Sequence, residues 1–222
     1  MTFSAQLRET IASRHLLKHP FYQAWTEGKL TLPQLQTYAQ QYKPFVEAFP
    51  RYVSAVHSNC EDAGARAEML ENLMDEEGKT GRGPAHPLLW QDFITGLGAA
   101  GEGVVEAGEK AKKTYLQLSQ RSYEEGLCAL YAYEYQTPEI SKTKIEGLKK
   151  FYGIDDAKTL EFFRTHEIAD IYHSATCEKL IDAIPADKQA AALQAAREAS
   201  EALWNFLSEA YGEENMNCDC AA

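Results

Sequence analysis

Apolar residues recur three and four positions apart along almost the whole chain, and no stretch longer than a few residues alternates with the period of two of a half-buried strand. The pattern predicts an all-helical protein, with helices near 3–17, 21–27, 32–60, 63–77, 87–98, 109–120, 122–151, 156–183 and 187–211. Thr31 sets a capping hydroxyl just ahead of Pro33 in a first turn, and Gly153 closes the helix that ends at Phe151-Tyr152. Pro44, Pro50 and Pro138 fall inside predicted helices. Each removes a backbone donor and crowds the preceding turn, so the two long helices are expected to be kinked or broken, a shape that lets a bundle wrap around a central pocket. No repeat, low-complexity tract or interior linker divides the chain. The expectation is a single helical domain over 1–211 and a disordered polar tail over 212–222, which has little apolar surface to bury.

Composition sharpens this picture. With 222 residues, 45% of them hydrophobic, the chain can build one sizeable core. Thirty-three acids against 22 bases give a net charge of -11, which repels polyanions and argues against a nucleic-acid partner. Arg8 and Glu9 stand where a secretory signal needs an apolar core, and no later run approaches the roughly 18 apolar residues that span a bilayer. Five scattered cysteines (Cys60, Cys128, Cys177, Cys218, Cys220) suit a reducing compartment better than a disulfide framework, so a cytoplasmic protein is expected. The Cys218-x-Cys220 pair could bind metal or oxidise, or it could be incidental. Gly78-Lys79-Thr80 resembles the end of a phosphate-binding loop, but Leu73 occupies the position of the required first glycine and no strand precedes it.

The segment with most chemical content is Thr165–His173. At about 100° per residue, His166, Asp170 and His173 share roughly 60° of helix surface, which makes half of a metal site or else a polar face with a local ion pair. Glu134 lies among Tyr131, Tyr133 and Tyr135, where a carboxylate is expected to be partly buried and to need a cation, a donor or a metal. Asp75-Glu76-Glu77 ends another helix, where acids oppose the helix dipole unless something positive sits nearby, and His86 follows after a glycine-rich loop. Carboxylates and imidazoles on three helices and a loop are similar in kind to the inward-facing ligands of carboxylate-bridged di-iron and di-manganese bundles, and they suit iron or manganese better than structural zinc. His15, His19 and His57 lack a clustered carboxylate and read as surface or core residues.

The chain resembles a known family, that of the chlamydial protein associating with death domains and its bacterial relatives, within the TenA/PqqC group of haem-oxygenase-like helical proteins. The resemblance runs from Phe21-Tyr22-x-x-Trp25 through Leu35-Gln36-x-Tyr38-Ala39, Ala48-Phe49-Pro50-x-Tyr52, Ser54-Ala55-x-His57-Ser58 and Asn72–Glu77 to Tyr131-x-Tyr133-Glu134 and the His166/Asp170/His173 helix, and the cysteine-bearing tail is similar too. It implies a dinuclear Fe/Fe or Mn/Fe centre on Glu76, His86, Glu134, His166, Asp170 and His173. It further implies a self-sacrificing oxygenase that uses dioxygen and an external reductant to make 4-aminobenzoate for folate synthesis, with Tyr22 as ring donor and Lys144 as nitrogen donor. The family also points to a homodimer and, by its name, to death-domain binding.

Read from spacing alone, Tyr22 is an aromatic anchor and Lys144 a solvated lysine. An unbroken helix would put Lys144 about 80° around and roughly 15 Å along from Glu134, away from a metal, unless Pro138 changes its approach. Tyr38 and Tyr42, four apart, could line a pocket or pack the core, and Tyr133 adjoins Glu134. The loop between Glu76 and His86 is longer and richer in glycine than in the chlamydial member, and Glu77 competes with Glu76 as ligand. The alternative readings are a TenA/PqqC-like enzyme on a thiamine-related pyrimidine or another small heterocycle, for which Cys128 is the candidate thiol, and a protein-interaction factor.

Overall fold

The computed structural model describes residues 1–79, 81, 83–99, 103–212 and 215. The described residues form eleven α-helices and one 3₁₀ turn, with no strand: α1 (Phe3–Ala12), the 3₁₀ turn Leu16–Lys18, α2 (Pro20–Thr26), α3 (Leu32–Glu47), α4 (Phe49–Asn59), α5 (Ala63–Glu76), α6 (His86–Gly96), α7 (Glu106–Arg121), α8 (Tyr123–Glu134), α9 (Thr137–Tyr152), α10 (Ala157–Asp182) and α11 (Ala186–Tyr211). Among them no helix is long and apolar enough to cross a membrane. Most of the expected tail, including Cys218 and Cys220, lies outside the described residues.

The prolines act by starting helices. Ala48 ends α3 and begins α4, with Pro50 in the first turn of α4; Pro138 likewise sits in the first turn of α9, after a break at Tyr135-Gln136. A first-turn proline loses no helical bond, so each of the two long predicted helices becomes two. Pro44 stays inside α3, which runs on to Glu47. Close to this proline α7 crosses α3: a Cβ on Gly108 would lie 1.7 Å from the Gln41 carbonyl oxygen, so only glycine permits this approach. The predicted first helix is shorter than expected, because the chain turns at Ser13 and His15 caps the 3₁₀ turn.

The central element is α8, where every residue from Gly126 to Glu134 is buried against α11, α7, α10 and α4. A helix buried on all sides has no solvent face, and a charge upon it must be compensated inside the protein.

Candidate metal centre and aromatic cage

Glu76 is the last residue of α5 and His86 the first of α6. Gly78 adopts φ +65° and packs so tightly that a Cβ there would meet the Ala85 nitrogen at 2.2 Å, so the glycine folds the loop back and returns His86 to the end of α5. His86 Nδ1 lies 2.9 Å from Glu76 Oε1, and His166 Nε2 lies 4.0 Å from the same oxygen. Glu77, by contrast, caps the helix and is exposed, so Glu76 is the inward acid. His166 directs Nδ1 at the Phe162 carbonyl, 2.7 Å away, which leaves Nε2 as the lone-pair nitrogen facing Glu76. Glu76, His86 and His166 place one ligand atom each within 4.8 Å of one another.

Asp170, His173 and Glu134 adjoin this trio. His173 lies between two carboxylates, Nδ1 3.3 Å from Asp170 Oδ1 and Nε2 3.2 Å from Asp75 Oδ2. Burial opposes its charging, but Asp170, Glu134 and Asp75 outweigh burial and raise its pKa to about 10. Glu134 is fully buried, which pushes its pKa up to about 7; the nearby Asp170 and Glu76 act in the same direction and His173 and Asn72 against it. Burial of Glu76 is likewise outweighed, here by His86, and the carboxyl is held below its ordinary range. His166 is lowered by burial and by His86.

Three carboxylates and three imidazoles, each at most 8% exposed, thus meet in the interior. His86 Nδ1, though close to Glu76, lies outside hydrogen-bonding geometry, and Asp170 Oδ2 is also without a hydrogen-bonding partner. Buried polar atoms of this kind are satisfied by a donor or a cation, and a mixed carboxylate and imidazole set fits an iron- or manganese-type ion.

Lys144 is only 4% exposed, correcting the solvated reading. The break at Tyr135-Gln136 invalidates the straight-helix extrapolation from Glu134, because α9 packs on α10 and α2 and turns Lys144 inward. Its Nζ donates to the Tyr38 hydroxyl at 2.6 Å and lies 5.6, 4.9, 5.8, 5.7 and 5.0 Å from the ring centres of Tyr22, Tyr38, Tyr42, Trp90 and Phe163. Burial lowers its pKa to about 7. Tyr22 neighbours Tyr38, as Tyr42 does Tyr133, and burial raises all four phenols above their ordinary range. Tyr38 and Tyr42 stack at 5.7 Å, and Tyr133 feels both the Asp170 and Glu76 charges and Tyr22.

Trp90 and Phe163, and the contacts that Asn72, Asp75 and Cys177 make with the cluster, escape the sequence reading. Asn72 Nδ2 donates to Glu134 Oε1 at 2.7 Å, and the Cys177 thiol lies 3.5 Å from Glu134 Oε2. A usable signal existed: Asn72, Trp90 and Cys177 stand four residues from Glu76, His86 and His173 on the same helix faces. His19 is a buried cap, its Nδ1 accepting from the Phe21 amide, whereas His57 is half-buried. Cys60, Cys128 and Cys177 are free and buried, and burial pushes the Cys128 thiol far up, which disarms it as a nucleophile.

Residues 36–216 match the family model described as iron-containing redox enzyme, a span that includes every carboxylate and imidazole of the cluster and Lys144 but not Tyr22. A 4-aminobenzoate synthase of Nitrosomonas europaea is 42% identical over 99% of this chain and 95% of its own length. One of Chlamydia muridarum is 38% identical over 99% of this chain and 94% of that protein. The crystal structure of a CADD-like protein from Nostoc punctiforme superposes with a TM-score of 0.78 at 22% identity, covering 94% of this chain and 95% of that one. Both the helical architecture and the buried carboxylate–imidazole group accord with these relatives, and the chain belongs to the haem-oxygenase-like family of iron-containing redox enzymes.

Proposed function

We propose that the protein is a self-sacrificing dimetal oxygenase that forms 4-aminobenzoate for folate synthesis from its own Tyr22, with Lys144 supplying the amino nitrogen. The observation that carries the reading is the position of Lys144: an amine with its pKa lowered to about 7, its Nζ 5.6 Å from the centre of the Tyr22 ring, in a cage beside a buried acid and imidazole cluster. Relatives that bear the name 4-aminobenzoate synthase support it.

On this reading Glu76, His86, Glu134, His166, Asp170 and His173 hold an Fe/Fe or Mn/Fe pair. When bound, the pair supplies the activation of dioxygen, with electrons from an external reductant. The chain's own residues do the rest. Burial keeps a substantial share of Lys144 as free amine at neutral pH, the form that can act as a nitrogen donor. Tyr38 accepts the amine's hydrogen bond and lies beside Tyr22, so one phenol positions both reacting side chains. Trp90, Phe163 and Tyr42 close the cage and exclude water. The same reading takes the protein as a cytoplasmic homodimer, which sedimentation and cell fractionation test.

The test is anaerobic reconstitution with iron and manganese, then oxygen plus a reductant, with metal content, intact mass and 4-aminobenzoate measured on the same samples. The expected result is about two metals per chain, as such sites hold, at most about one product per chain and a mass loss mapping to Tyr22. Protein that binds no metal and keeps Tyr22 and Lys144 intact would overturn the reading.

A further inference from the structure

Both ring nitrogens of His173 face a carboxylate, and the two carboxylates differ in setting. Asp170, three residues back on α10, is 1% exposed; its Oδ1 lies 3.3 Å from His173 Nδ1 and its Oδ2 is buried without a hydrogen-bonding partner. Asp75, in the last turn of α5, presents Oδ2 3.2 Å from His173 Nε2. Its side chain is 27% exposed, and with His173 it lines a cavity between α5, α8 and α10 whose mouth carries the exposed Glu68 and Tyr172. Coordination takes the lone pair of one imidazole nitrogen and leaves a proton on the other, so only one of the two contacts can lie inside a metal site.

The placement of each carboxylate decides which one. Asp170 belongs to the interior of the cluster, where its charge reaches Glu134, His86 and His166. Two donors that share one ion at bonds of about 2.1 Å stand roughly 3.0 to 3.4 Å apart, and Asp170 Oδ1 and His173 Nδ1 already have that separation. Asp75 stands at the solvent edge instead. It precedes Glu76 on α5, so the two side chains leave the helix about 100° apart, Glu76 into the cluster and Asp75 along its flank.

We infer that Asp75 is a positioning residue of the metal centre, which accepts the Nε2–H of His173 and so turns Nδ1, beside Asp170, toward the ion. The inference rests on the metal-centre reading above and adds to it a residue and a nitrogen. His166 is held the other way round on the same helix, with Nδ1 against the Phe162 carbonyl and Nε2 toward Glu76. One helix therefore offers opposite nitrogens to the two halves of the centre. The halves also differ in donor strength, because an anionic partner makes an imidazole a stronger donor than a neutral carbonyl does.

The metal-free full chain, with isotope-labelled histidine, is loaded with cadmium(II) enriched in an NMR-active isotope, and metal–nitrogen couplings are read. Couplings are expected at His166 Nε2 and His173 Nδ1, with His173 Nε2 still protonated. Coupling at His173 Nε2 would overturn the proposal and leave the metal-centre reading standing; no coupling to any histidine of the cluster would overturn both. Chelator competition with cadmium(II) then tests Asp75 itself. Asp75→Ala should weaken one of the two ions about 10- to 100-fold and leave the other within about threefold. Asp75→Asn, whose amide oxygen still accepts from Nε2–H, should lose less. Wild-type affinity in Asp75→Ala, or a loss that falls equally on both ions, would overturn the assignment.

Discussion

Replacing Lys144 by Met removes an ammonium from the interior and keeps an unbranched apolar chain in its place. The folded pKa of about 7 lies below the unfolded value of 10.5, so the unfolded chain binds more protons between these two pH values and wild-type stability rises with pH across that window. Below about pH 7 the full cost of burying the charge is present; at 1.36 kcal/mol per pH unit the gap corresponds to a ceiling of about 5 kcal/mol. That pKa already contains every attraction felt by the ammonium, so the one term to set against it is the hydrogen bond to Tyr38, which the neutral amine also makes and Met cannot, worth about 1 kcal/mol. Lys144→Met should therefore be about 4 kcal/mol more stable than wild type at pH 6.5. The advantage should shrink by about 1.4 kcal/mol per pH unit through the window and reverse before pH 10. Urea unfolding of both metal-free proteins between pH 6.5 and pH 10 measures it. A Met variant less stable than wild type at pH 6.5, or a difference that does not change with pH, would refute the reasoning that the amine is desolvated.

The same titration should appear in the chemistry: the 4-aminobenzoate yield of reconstituted protein should rise as pH increases through about 7, the direction set by freeing the Lys144 amine, and Lys144→Arg should abolish product at every pH because guanidinium stays charged. Gly78→Ala places a methyl 2.2 Å from the Ala85 nitrogen at φ +65°; it should cost about 1–2 kcal/mol or more of stability and lower metal content in the same preparation, since His86 can no longer return to Glu76, as calorimetry and elemental analysis would report. Cys128→Ala should leave the product yield within about twofold of wild type, because a buried, protonated thiol is no nucleophile; a large loss would revive a hydrolase with a cysteine nucleophile.

Helix periodicity made the fold class and most helix bodies legible, and the arc shared by His166, Asp170 and His173 placed those three side chains together before any coordinates. These are local properties, set by the geometry of one helix. Glu134 was legible for a related reason, as a charge in a segment with no polar face. Lys144 was not, because its position depends on where a helix stops. Pro138 signalled trouble, but a proline can kink a helix or start a new one, and only packing decides between them. The cage ring Phe163 and the Asp75 contact to His173 come from pairings between distant elements, for which a single sequence carries no periodicity.

The arrangement also explains why so much aromatic surface sits beside so many acids. Tyr133 and Glu134 are consecutive residues of α8, so their side chains leave the helix about 100° apart. Glu134 enters the acid and imidazole cluster, while Tyr133 lies beside Tyr42 at the cage. An exposed or one-sided helix could not serve two interior compartments; α8 can, because it is enclosed by α4, α7, α10 and α11. The two sites differ in polarity: carboxylates surround Glu134, and rings without a carboxylate partner surround Lys144. A carboxylate within reach of Lys144 would pair with it and hold it charged. Because burial alone acts on Lys144, with no carboxylate beside it, the amine is left largely free at neutral pH although the acid and imidazole cluster lies nearby.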